Sequence, residues 1–168
     1  MARFDKNKFK TENQTWETPE ELFKLLDNEF NFDIDLSANK QNTKCRKFIS
    51  KEENALSISW KNCGWLNPPY GGSSNNSLKN WEKKAFEESR KDGCTIVMLI
   101  PARTNTIWWH KYCMKAKEIR LIVGRPKFKG CIHGLPQPLA IIVFNNLSEV
   151  PILKTQDIHK RKEKRMEE

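Results

Sequence analysis

Apolar positions recur along this chain with two different periods. Leu22, Leu25, Leu26 and Phe30 follow helical spacing behind Thr18-Pro19. The pattern predicts a helix over Thr18 to Phe30, with Thr18 as N-cap, Pro19 at the first helical position and Glu21 closing a capping box. Leu78, Trp81, Ala85 and Phe86 predict a second helix, and a third is expected from about Asn105 to Lys115. Between them lie short runs that read as strands: Phe32 to Leu36, ending in the small residues Ser37 and Ala38, then Lys47 to Ser50, and the apolar Gly64-Trp65-Leu66. Cys94 to Ile100 and Leu139 to Phe144 are continuously apolar, as strands covered on both faces are, and Ile119 to Val123 is a further strand. Ala55 to Trp60 reads as a weaker element of uncertain type, and residues 71–77 (Gly-Gly-Ser-Ser-Asn-Asn-Ser) form a loop expected to be mobile.

Strands alternating with helices indicate an α/β layered domain with a mostly parallel central sheet flanked by helices. Such sheets bind ligands at the carboxyl ends of their strands. Asp35 and Asn67 both fall at that end, so they are expected to converge on one crevice. The expected organisation is a polar extension over residues 1–15, one domain over 16–153, and a charged tail over 154–168 that forms a frayed helix or no fixed structure.

At 168 residues and 38% hydrophobic content, the chain can build one core without disulfide support. Its five cysteines, at 45, 63, 94, 113 and 131, include no C-x-x-C pair, which argues against a disulfide framework and a zinc site. They read as reduced, mostly buried thiols of a cytoplasmic protein, and no metal is expected. The longest apolar run, Ile96 to Ile100, is far too short to span a bilayer.

Charge adds a partner to this picture. The net charge is +9, of which +7 falls within residues 102–131, where eight basic side chains face the single acid Glu118. Interleaved with Trp108, Trp109, Tyr112 and Phe128, this stripe suits a nucleic acid, whose phosphates and bases are recognised by separate interactions. Arg103, Lys111, Arg125, Lys127 and Lys129 are the expected backbone contacts, with Phe128 a second stacking surface. Trp108 and Trp109 read as core, and His110 as a surface position. His133 lies in the Gly130 to Pro138 loop, which Gly and Pro punctuation explains as well as nucleic-acid contact does.

The chemistry concentrates in Asn67-Pro68-Pro69-Tyr70, directly after the run Gly64-Trp65-Leu66. The lone pair of an amine conjugated to a base ring is delocalised, so the amine must be held to react. The Asn67 side-chain carbonyl can accept one N–H and the Pro68 backbone carbonyl the other, while Tyr70 stacks on the base. Pro68 and Pro69 make the segment stiff, which sets those carbonyls in advance. Taken alone, the tetrapeptide serves equally well as a Pro-rich turn after a strand.

Together with Trp16-Glu17-Thr18-Pro19, Phe32 to Ala38, Asn42 with Lys44-Cys45, Glu53 to Leu56 with Trp60, Pro101 to Thr104 with Trp108 to His110, and Gly124 to Phe128, the tetrapeptide makes the chain resemble the phage-type DNA N6-adenine methyltransferase family, often called Dam-like, over about residues 15–146. The resemblance implies methyl transfer from S-adenosylmethionine to the N6 amine of adenine in DNA on a Rossmann-like sheet. It makes Asn67, Pro68, Pro69 and Tyr70 the catalytic motif. It also implies cofactor contacts from Asp35, Ser37 and Ala38 after the first strand, from Thr18 and Pro19 near the methionine part, and from Asn54 and Leu56 at the adenine end. If phage-encoded, the enzyme would act in the bacterial host's cytoplasm. Two departures stand out: the segment after the first strand has no glycine, and the motif begins with Asn, which offers a carbonyl but no carboxylate base. Cytosine N4 or an RNA adenine would satisfy the same amine clamp. A non-catalytic DNA-binding protein on the same fold would fit the missing glycine loop.

Overall fold

The structure, a computed structural model, describes residues 17–71, 76–129, 137–145 and 150–157. Within them the chain is a mixed α/β fold: helices α1 (Glu20–Phe30), α2 (Leu78–Glu88) and α3 (Ile107–Lys111), and strands β1 (Ile34–Asp35), β2 (Lys47–Phe48), β3 (Cys63–Leu66), β4 (Thr95–Pro101), β5 (Glu118–Val123), β6 (Leu139–Phe144) and β7 (Ile152–Asp157). The strands form one sheet in the order β2-β1-β3-β4-β6-β5-β7. Pairings β1/β2, β1/β3, β3/β4 and β5/β7 are parallel, and β6 runs antiparallel to both β4 and β5.

The continuous apolar runs are the strands buried on both faces. Along β4, Ile96, Met98 and Ile100 pack with Leu78, Trp81 and Ala85 of α2 and with Trp109 of α3. The alternate residues Val97 and Leu99 pack with Leu22, Phe23 and Leu26 of α1. β6 divides in the same way, Ala140, Ile142 and Phe144 against Leu139, Ile141 and Val143. Gly64 lets β3 sit close to its neighbours: a Cβ there would stand 2.6 Å from Leu36 Cδ1, so the Leu36 side chain would have to shift to admit one. Asn67 thereby follows a strand seated closely between β1 and β4.

Three expectations change, and one segment of open type resolves. Helix α1 has no capping box: Pro19, with extended ψ (134°), is itself the N-cap, no side chain caps the helix, and Thr18 lies one residue outside it. The third helix is shorter than expected, with α3 ending at Lys111 and a separate 3-10 turn over Cys113–Lys115. Ala55 to Trp60 forms turns, tied by the Trp60 indole N–H to the Ala55 carbonyl (2.8 Å) and by the Trp60 backbone N–H to the Glu88 carboxylate (2.8 Å). Burial would raise Glu88, but Lys84, Lys91 and that N–H bring it down to about 2. Residues 154–157 belong to β7, an exposed edge strand in parallel register with β5, rather than to a frayed helix. Lys154 Nζ reaches Glu118 Oε1 at 2.9 Å across that pairing.

Of the cysteines, Cys94 and Cys113 are buried thiols and Cys45 and Cys63 half-buried ones; burial pushes Cys45 up to about 12 and Cys63 to about 11. Cys131, His133 and most of the 71–77 and 129–138 loops lie outside the described residues. Among the described residues no helix is long and apolar enough to cross a membrane, and no cluster of His, Cys, Asp or Glu could hold a metal ion.

Candidate active site

At the carboxyl ends of β1 and β3 the chain leaves the sheet into two loops, and a cleft of about 660 Å³ opens between them. Its walls include Thr18, Asp35, Ser37, Ala38, Asn54, Leu56, Asn67 and Pro69. The expected crevice is therefore present, and it gathers residues separated by up to 64 positions in the chain, from Glu17 to Trp81. Pro19, Pro68 and Tyr70 stand outside its walls.

Asp35 explains how the loop after β1 keeps its shape without glycine. Its carboxylate, only 3% exposed, accepts the Ser37 N–H at Oδ1 (3.3 Å) and the Lys44 N–H at Oδ2 (3.1 Å). One side chain thus ties both ends of the segment 37–44. Within it, Asn39 Oδ1 accepts the Gln41 N–H (2.8 Å) and Asn42 Oδ1 the Asn39 N–H (2.7 Å), turns in which side-chain amides replace backbone partners. Burial pushes Asp35 up to about 6, against the pull of the two N–H groups and the Lys44 charge. It is therefore ionised at neutral pH.

Asn67 is held at both ends of its amide. Nδ2 donates to Thr18 Oγ1 (3.2 Å), and the Tyr70 hydroxyl lies 2.8 Å from Asn67 Oδ1 and 3.2 Å from the Leu99 carbonyl on β4. Thr18 is thus turned to the motif instead of capping α1. The Tyr70 ring is half-buried between the two core clusters, and burial raises its hydroxyl above the ordinary phenol range. The two contacts of its hydroxyl and the packing of its ring hold Tyr70 in place beside Asn67.

Sequence reasoning missed Glu17, Leu36, Asn39, Asn42, Lys44, Ile49, Glu52 and Trp81 among the walls. Asn42 and Lys44 carried a signal, since they stand in the Asn- and Lys-rich stretch that follows β1. Asn39 stands in the same stretch, and Glu17 and Leu36 adjoin Thr18, Asp35 and Ser37, whereas Ile49, Glu52 and Trp81 reach the cleft through tertiary packing that no local pattern announces.

Comparison with known proteins gives this geometry a family. The family model described as DNA N-6-adenine-methyltransferase (Dam) matches residues 5–146. A DNA N-6-adenine-methyltransferase of Haemophilus phage HP1 is 31% identical over 172 aligned residues, covering 95% of this chain and 96% of that protein. A protein of the same name from Escherichia phage T1 is 36% identical over 107 residues, 62% of this chain and 42% of its own length. This chain belongs to the Dam family.

The basic stripe of this Dam-family chain is split by the fold. Arg125, Lys127, Lys129 and Lys111 are exposed, and Arg103 is half-buried just beyond β4. Lys129 pairs with Glu17 Oε2 at 3.1 Å, and its backbone bridges Glu17, which brings the end of the stripe to the wall of the cleft. Arg120 is consumed internally by Glu29 and Glu118 at 2.6 and 2.7 Å. Phe128 does not serve as a stacking surface: at 1% exposure its ring sits in the core with Leu22, Leu26 and Trp65. Its charged neighbours point outward and the aromatic inward, an alternation that makes the segment look like an aromatic-basic surface in sequence. Trp109 is core, as expected, with Trp108 packed partly against it.

Proposed function

We propose that this Dam-family enzyme methylates the N6 amine of adenine in DNA with S-adenosylmethionine as donor, on a Rossmann-like methyltransferase sheet, and that the cleft holds the donor beside Asn67. The observation that carries the reading is the placement of Asn67, braced by Thr18 and Tyr70, on the wall of the cleft that Asp35, Ser37, Ala38, Asn54 and Leu56 line.

The residues present fit the donor. Leu36, Ile49, Ala55, Leu56 and Trp81 offer apolar walls for an adenine ring, and Glu17, Asp35 and Glu52 offer carboxylates for hydroxyls and cationic groups. Asp35 and Ser37 would hold it next to β1, with Asn54 and Leu56 at its far end. When bound, S-adenosylmethionine supplies an electrophilic methyl group.

The chain's own work lies with the acceptor. A duplex hides the adenine amine, so the base must leave the stack. Asn67 Oδ1 accepts one amine N–H; a carbonyl oxygen accepts two hydrogen bonds, so the Tyr70 hydroxyl and the amine can share that atom. The Pro68 carbonyl, held by Pro69 behind it, accepts the other. Two acceptors favour the amine as its nitrogen gains positive character, the condition for preorganised electrostatic stabilisation. The Tyr70 ring supports the base from the side of the core. With an amide rather than a carboxylate at position 67, the amine proton passes to water after transfer. Arg103, Lys111, Arg125, Lys127 and Lys129 hold the DNA backbone, in the cytoplasm of a bacterial host.

Incubation with methyl-labelled S-adenosylmethionine and unmethylated duplex DNA, followed by nucleoside analysis, is expected to give N6-methyladenine. N4-methylcytosine would move the acceptor, and no label on DNA would overturn the reading. Asn67→Ala is expected to abolish turnover while DNA retention stays nearly intact.

A further inference from the structure

Thr18 occupies an odd position for a residue whose sequence context is a helix start. It is 3% exposed, yet its hydroxyl caps nothing in α1, and Pro19 opens the helix without a side-chain cap. The hydroxyl is spent on the Asn67 amide at 3.2 Å, across 49 positions of sequence. Its own placement is fixed from both sides. Glu17 is bridged to Lys129 by backbone and ion pair, and Pro19 restricts the backbone of the residue before it.

We propose that Thr18 is a positioning residue for methyl transfer, acting through the plane of the Asn67 amide. An asparagine amide turns on a soft, broad torsion, so a single partner does not fix where its carbonyl points. Thr18 at Nδ2 and Tyr70 at Oδ1 together set that plane and direct the oxygen to the incoming amine. A hydroxyl suits the task because it donates or accepts as the amide requires. Valine has the same shape and does neither. This assignment rests on the reading of Asn67 as the amine acceptor and separates Thr18 from a simple cofactor contact, although both place it on the cleft.

The test compares Thr18→Val, Thr18→Ala and Thr18→Ser for kcat, for KM towards S-adenosylmethionine and DNA, and for melting temperature. Loss of one hydrogen bond to the amide is expected to lower kcat about tenfold in the Val and Ala variants. Both KM values are expected to stay within about twofold, as for an interaction realised in the transition state. Ser keeps the hydroxyl and is expected to restore kcat. An unchanged kcat in Val and Ala would overturn the inference. So would a loss confined to KM for S-adenosylmethionine, which would make Thr18 a cofactor contact, or a Ser variant as impaired as Val. Asn67→Ala measured alongside separates the two levels. If it retains full turnover, the underlying reading of Asn67 fails; if it is inactive while Thr18→Val is normal, only the role of Thr18 fails.

Discussion

Of the carboxylates withdrawn from water in this fold, Asp35 and Glu82 make the sharpest contrast. Asp35, at the end of β1, accepts two backbone N–H groups and faces the cleft. Glu82, on α2, is 0% exposed, and among the described residues neither of its oxygens has a well-formed hydrogen bond, the weak donor beside it being the Cys113 thiol. Burial raises both: Asp35 up to about 6, and Glu82 to about 8, where the Cys113 thiol and the Arg103 charge offset only part of the effect. At neutral pH the first is an anion that organises a loop, and the second is a neutral acid packed in the interior. The difference shows that burial alone does not tell what a carboxylate does in the fold. What the buried oxygens hold does.

The largest effect follows from removing the partnered group. Asp35→Ala takes away both anchors of the segment 37–44, two hydrogen bonds to a charged acceptor. Affinity for S-adenosylmethionine, read by calorimetry, is expected to fall on the order of a hundredfold. Unchanged affinity would dissolve the contrast with Glu82. Wild-type affinity should also decline as pH falls through about 6, as Asp35 takes up a proton. The sign for folding is opposite. With its folded pKa above its ordinary value, protonation of Asp35 favours the folded state as pH drops from about 6, and this contribution is lost as pH rises through that value. Weakened binding near pH 5.5 should therefore appear without loss of Asp35-linked stability.

Glu82 should respond through stability alone. Its folded pKa lies above its unfolded one, so the wild-type fold loses stability as pH rises from the ordinary carboxylate range through about 8. Glu82→Met, apolar and similar in size, is expected to be more stable at pH 8 by roughly 1–3 kcal/mol. The gap should narrow toward pH 5, while kcat stays within about twofold. Thermal melts at several pH values check this. A gap that does not change with pH would mean that the carboxyl is partnered after all.

The same contrast explains how much of the molecule was legible in sequence. Helices α1 and α2 and strands β4 and β6 could be read because their periodicity is the imprint of burial on one face or on both. Strand β7 could not: five of the six residues of Ile152–Asp157 are exposed, and the strand exists through backbone pairing on β5, which leaves no pattern of apolar side chains. Thr18-Pro19-x-Glu21 matched a capping box, but the capping hydroxyl had a distant competitor in Asn67, and the tertiary bond prevailed. In the site, Asp35, Ser37, Ala38, Asn54 and Leu56 were legible as cleft residues. How Asp35 acts was not, because its partners are backbone N–H groups up to nine positions away.

The smallest effects belong to the basic stripe, where the exposed and internal halves can be told apart by salt. Arg125 and Lys127 are exposed and enter no ion pair among the described residues, whereas Lys129 is paired with Glu17 and Arg120 with Glu29 and Glu118. A side chain that neutralises a phosphate displaces a counterion, so its removal should lower the slope of log affinity against log salt by about 1 and weaken DNA binding severalfold. Arg125→Ala and Lys127→Ala are expected to do so. Lys129→Ala should do less, since the Glu17 carboxylate already neutralises that cation. Arg120→Ala should leave the slope alone and lower the melting temperature instead, because two acids lose their shared partner. Equal slopes for all four variants would mean that the stripe acts as a diffuse field rather than through individual contacts, and the distinction between exposed and internally paired cations would then carry no weight for DNA.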